Sequence, residues 1–264
     1  MAELSPTRAW NEAAAFVGRE GALLFPLALL AVLPSAALQL LMPVVPRGQV
    51  PPPGPWMLLI PVAFVVAITA NVAMTRLVLR PGTSVGEALA HGLRRMPMLL
   101  ALAAMMAIGA ILLLTIIATL IFAATAAPGG RPSGAAMALA MLLAVPPVLY
   151  VGARLLLMTP VAAAEPGGPF AILRRSWTLT AGHVWTLLGL IVLIAVLTLV
   201  VLVAASAVVG IVVILLAGPP EPGSISRMLI LAAATILNMV VTAYLAAFIA
   251  RIYAQLAGET ASGI

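Results

Sequence analysis

Six apolar runs, each long enough to cross a bilayer, alternate along this chain with short breaks rich in glycine and proline. A span needs about twenty apolar residues at ~1.5 Å of rise each, and the runs fall at 21–45, 56–79, 97–127, 135–160, 184–217 and 226–256. With 64% hydrophobic and 8% charged residues, a water-soluble fold could not cover its surface with polar groups, so the bilayer has to be the solvent. Hydrocarbon offers backbone groups no partner, which leaves helices for runs of this length. The expected fold class is an all-α polytopic membrane bundle of six transmembrane helices, one integral membrane domain over 1–264.

Runs three and five exceed the spanning length and are expected to tilt or to project beyond the membrane. The breaks at 46–55, with Pro51-Pro52-Pro53, at 128–134 and at 218–224 read as tight hairpin loops. All thirteen basic residues are arginine, and the net charge is +6. They cluster at span ends, where anionic headgroups are the nearer partner, so membrane lipids and not nucleic acid are expected to meet them. Ten lie in or beside the N-terminal segment, the two even-to-odd connections and the C-terminal end, against Arg47, Arg131 and Arg227 near the hairpin loops. The positive-inside rule then puts both termini in the cytoplasm and the hairpin loops outside, in a cell membrane. Glu3, Glu12 and Glu20 beside Arg8 and Arg19 are unlike a cleaved secretory signal, so the N-terminal segment is expected to stay.

Short amphipathic elbows are expected before runs one, three and five. Ser5-Pro6 gives an N-cap followed by an N1 proline, and Trp10, Ala13, Ala14 and Val17 recur at helical spacing. Ser84-Val85-Gly86-Glu87 fits a capping box opening a stripe of Val85, Ala88, Leu89, Leu93 and Met96, with Glu87, His91, Arg94 and Arg95 off it. Gly168-Pro169 opens a segment with Phe170, Leu173 and Trp177 on one side, Arg174, Arg175 and Thr178 on another, and Gly182 as its stop. Even-numbered runs end alike, on Arg76, Arg154 and Arg251. Together these features suggest three pseudo-repeated hairpins with cytoplasmic amphipathic elbow helices, over about 5–79, 83–160 and 168–257.

The stretch Arg154 to Leu190 contains Pro160, Glu165-Pro166-Gly167-Gly168, Arg174-Arg175-Ser176-Trp177-Thr178-Leu179-Thr180, Gly182, Trp185 and Leu187-Leu188-Gly189. It resembles the Arg-Arg-Ser-Trp, Leu-Thr, Gly, Trp segment of the bacterial six-span membrane domain associated with glycerophosphodiester phosphodiesterases, and of related integral membrane proteins. The motif covers about one seventh of the chain, and the six-span layout extends the likeness over nearly all of it. The resemblance implies a membrane scaffold. The hydrolytic chemistry of the fused proteins belongs to a separate soluble domain, whose acidic metal ligands this chain lacks.

Chemistry-bearing side chains are scarce: the chain has no Asp, Lys or Cys, and two His. There is no Gly-rich phosphate loop, no pair of acids and no His-Glu metal motif, so no enzyme activity, cofactor or metal is expected. Arg94, Arg95, Arg174 and Arg175 read first as topology signals and second as a lipid-headgroup site, with Trp177 and Trp185 as interface anchors. Asn71 and Asn238 read as interhelical hydrogen-bond glue. With Arg76, Arg154 and Arg251 they make up the intramembrane polar set, and Glu165 lies within reach of Arg154 or Arg174. The function expected is a non-enzymatic module in envelope homeostasis, working through lipid contact or by assembly with a membrane partner or a second copy. The alternative is a transporter or channel for a lipid-like or amphipathic solute, which needs an interior lined by Asn71, Asn238 and hydroxyl residues. Exclusive use of arginine with abundant Ala, Gly and Pro suits a GC-rich bacterial genome.

Overall fold

The computed structural model describes residues 4–43, 45, 51–125, 134–221 and 223–258. The expected loop at 128–134, with Arg131, lies almost wholly outside the described residues, as do Arg47 and part of the 46–55 loop. Among the described residues the elements are α1 (Pro6–Leu41), a 3₁₀ turn (Pro55–Leu58), α2 (Leu59–Leu79), α3 (Val85–Thr125), α4 (Gly134–Leu155), α5 (Met158–Ala164), α6 (Pro169–Leu179), α7 (Val184–Ala217) and α8 (Ile225–Ala257), with no strand. Six helical segments are long and apolar enough to cross a membrane, so the chain is an all-α multi-pass membrane protein.

Local chemistry sets the boundaries. Ser5 caps α1 by accepting from the Arg8 N–H, and Pro6 is its first residue. The capping box forms: Glu87 N–H donates to Ser84 Oγ at 3.2 Å, and Ser84 N–H donates to the Glu87 carboxylate at 3.0 Å. Gly182, at φ 86°, makes the left-handed turn between α6 and α7, and Gly218, at φ 81°, ends α7.

The elbows differ from one another. The first joins its span in one helix, and the joint shows as non-helical backbone at Glu20, φ −112° and ψ 16°. The second is continuous with run three: α3 spans 41 residues, Pro97 included, where a separate interfacial helix was expected. Its inward side is also rotated from the expected stripe. Ala88, Gly92, Leu99 and Leu102 are buried, Leu93 is 57% exposed, and His91 and Arg95 sit half-buried at the edge of that side. Gly92 is the cause, because a Cβ there would lie 2.8 Å from the Thr69 carbonyl oxygen, and this bare backbone lets α3 cross α2 closely. The third elbow, α6, is a separate helix as expected.

Run four also departs from expectation. It breaks at Leu156–Leu157 and resumes as α5. Pro160 explains the break: it has no N–H to offer the carbonyl four residues back, and its ring crowds that carbonyl. Pro26, Pro34, Pro146 and Pro147 lie inside α1 and α4 without dividing them.

The core lies at the arginine-rich end. There α1 packs along α8 and α2, with α5 wedged against α2. The buried faces are rich in alanine, among them Ala9, Ala13, Ala28, Ala70, Ala73, Ala243 and Ala247, which allows close helix approach. Burial is confined to Thr69–Val78 on α2 and, apart from Ser226 in its first turn, to Ala243–Tyr253 on α8, and α7 buries only Val184 and Leu187. The far halves of α3, α4 and α7 present Ile111, Leu142, Val203 and Leu215 outward, a surface for hydrocarbon. At the far end Arg227 Nη2 donates to the Gln39 carbonyl at 3.1 Å, holding α8 to the end of α1.

Gly92→Ala should push α2 and α3 apart and lower stability by about 1–3 kcal/mol in detergent-micelle unfolding. Gly86→Ala, with open space around its Cβ position, should be neutral or slightly stabilising.

Candidate lipid-facing site

The break between α4 and α5 creates the first polar node. In an unbroken helix the Arg154 carbonyl would accept from the chain one turn on. Here Ser176 Oγ of α6 donates to it at 2.8 Å, and the hydroxyl of Thr180, which caps α6 and bonds the Ser176 carbonyl at 2.9 Å, stands 3.5 Å away. These hydroxyls lie on the side of α6 that is buried with Ile172.

The Arg154 side chain is pinned from two directions. Its Nε and Nη2 donate to Tyr150 Oη at 3.2 and 3.0 Å, and Nη1 donates to the Trp177 carbonyl at 3.1 Å. Its guanidinium carbon stands 4.9 Å from the Trp177 ring centroid and 5.4 Å from that of Tyr150, and the two rings meet edge to face at 6.2 Å.

Glu165, just after α5, takes a different partner from those expected. It receives Arg175 Nε at 3.0 and 3.1 Å, and Tyr253 Oη donates to it at 2.9 Å, tying α6 to α8. Neither Arg154 nor Arg174 pairs with it, because α6 turns Arg175 toward α5.

α6 thus has three sides. Ile172, Ser176 and Thr180 face protein; Phe170 and Trp177 are exposed, with Leu173 half-buried between them; Arg174, Arg175 and Thr178 form an exposed basic side. A helix built this way seats its apolar side at the hydrocarbon edge and its arginines among phosphates. Trp185, in the first turn of α7, is 81% exposed. Arg94 is exposed on α3.

Between α3 and α4 runs an apolar cleft of about 610 Å³. Met105, Gly109 and Leu113 line one wall and Val148 and Gly152 the other, and α6 closes the arginine end with Leu173 and Trp177. The volume falls within the range of small-molecule sites, roughly 300–1,000 Å³. Two further apolar openings, of about 450 and 350 Å³, lie along α7 and α8, and no arginine stacks on a ring that lines them.

The intramembrane polar residues do not converge. Asn71 Nδ2 donates to its own helix at the Ala67 carbonyl, 2.8 Å, so it does not join two helices as expected. The carbonyl one turn back on the same helix is always in reach of such a side chain. Asn238 is exposed on α8. Arg251 is only 8% exposed, with its guanidinium 5.6 Å from the Phe16 ring centroid. Arg76 Nη1 and His91 Nε2 both donate to the Ala163 carbonyl, at 3.4 and 3.0 Å. Sequence reasoning missed Tyr150, Ser176, Thr180 and Tyr253; only the Tyr150–Arg154 spacing of one helical turn was there to be noticed.

Fold and site together define a multi-pass helical membrane protein whose cleft opens on the hydrocarbon beside an arginine–aromatic cluster. The chain belongs to the family described as a domain of unknown function, DUF7847, which matches residues 7–256. No curated protein and no solved structure matches it.

Ser176→Ala with Thr180→Ala should leave the Arg154 carbonyl unpaired and cost about 1–3 kcal/mol, read as earlier thermal unfolding in micelles with a shift in tryptophan emission.

Proposed function

We propose that this protein is a non-enzymatic lipid-holding module, which draws an acyl chain into the α3–α4 cleft with the headgroup beside Arg154 and α6. The observation that carries the reading is the cleft itself: its walls are apolar, and its arginine end is closed by Trp177 with a guanidinium stacked on it. A lipid combines a long apolar body with a charged end in that same order. Ten of thirteen arginines at the elbow end favour cytoplasmic termini, in a bacterial inner membrane. The likeness of Arg154–Leu190 to the six-span domain associated with glycerophosphodiester phosphodiesterases fits a scaffold that meets lipid and leaves chemistry to other domains. Transport has less support, because Asn71 bonds within α2, Thr119 bonds within α3, and Asn238 is exposed.

Gly109 and Gly152 test this reading directly. A Cβ at either meets nothing within 4 Å, so leucine there fills the cleft without moving backbone. Native mass spectrometry from nanodiscs should find the Gly109→Leu, Gly152→Leu variant folded, with retained lipid reduced about tenfold, the worth of about two buried methylenes. Equal retention by wild type and variant would remove the cleft as a lipid seat.

A further inference from the structure

A second cluster of positive charge lies apart from that cleft, where α2 ends and α3 begins. Arg76 and Arg80 are one turn apart on one side of the crossing, and His91 and Arg95 one turn apart on the other. The Ala163 carbonyl draws Arg76 and His91 together by accepting from both. Arg76 feels the charges of Arg80 and Arg95, and His91 feels all three arginines.

The neighbouring carboxylates are engaged or turned elsewhere. Glu87, one turn before His91, closes the capping box on Ser84. Glu165 is held by Arg175 and Tyr253. Glu20 of α1 approaches the turn at Pro81–Thr83, yet among the described residues the ion pairs are Arg8–Glu12 and Arg175–Glu165 alone. Three guanidinium groups thus share one corner with no protein counter-charge paired to them. Crowding like charges destabilises a fold unless an anion joins them, and at a span end the anion at hand is phosphate. Arginine suits it by geometry, since its planar fork meets phosphate oxygens in pairs. Arg80 is exposed and Arg95 half-buried, and among the described residues Arg95 hydrogen-bonds only the Met98 sulfur, at 3.8 Å, so donors of both are available.

We infer that Arg76, Arg80 and Arg95, gathered at the α2–α3 crossing, bind a phosphate group, from an anionic lipid headgroup or from a free phosphate. The site goes beyond the cleft reading and does not depend on it.

The Arg80→Gln, Arg95→Gln variant tests it and leaves the Arg76 and His91 bonds to Ala163 in place. In nanodiscs of phosphatidylcholine doped with phosphatidic acid, wild type should retain phosphatidic acid preferentially. The variant should lose that preference by about tenfold while phosphatidylcholine retention stays level. The cleft-filling variant should instead lower both lipids together, so failure of one idea is distinct from failure of the other. In detergent, inorganic phosphate should raise the unfolding temperature of wild type and not of the variant. Phosphate stabilisation without lipid preference would assign the site to a free phosphate. If the variant matches wild type in both measurements, the proposal is overturned.

Discussion

Hydrocarbon cannot hydrogen-bond, and the structure follows from how each backbone group meets that constraint. Long uninterrupted helices meet it within themselves, as α7 does over 34 residues with almost no burial against the rest of the protein. Where the helix breaks between α4 and α5, the Arg154 carbonyl lies one turn from the break, and α6 supplies the Ser176 hydroxyl to it. The position of α6 is therefore set by a debt left in α4. With α6 in place, Trp177 and Arg154 come together, and the cleft gains a closed end.

Packing is uneven along the membrane normal for a related reason. Lipid tails are as apolar as leucine, so helices gain little by burying leucine against one another and more by close backbone approach. The alanine faces of α1, α2 and α8 and the Gly92–Thr69 crossing allow such approach at the arginine-rich end. The far halves of α3 and α7 carry Leu, Ile and Val, which are content in lipid, and the openings lie where α3 faces α4 and along α7 and α8.

Most of the architecture could be read from the chain because it depends on local, additive properties. The Ser84–Glu87 box, the Ser5-Pro6 start and the Gly182 turn are each determined within a few residues and stand where expected, and all six apolar runs are helical, the fourth in two pieces. What could not be read depends on which neighbour is within reach. Asn71 turned to its own helix, Glu165 chose Arg175, and Arg251 came to rest against Phe16. The role of Ser176 was hidden because it answers a vacancy on another helix, 22 residues away in sequence. The continuity of α3 escaped notice since a capping box marks where a helix starts and says nothing of where it ends.

The most extensive helix contact joins α1 to α8, and the Ser5 N–H donates to the Gln255 side chain across 250 positions of sequence. A ribosome delivers α1 before α8, so α1 stays without its main partner while the helices between them are made. During that interval its alanine face is bare, and Trp10 lacks the Tyr244 and Phe248 rings it later packs against. Assembly is therefore a closure of α8 back onto α1, and until α8 arrives the bundle is a ring still open.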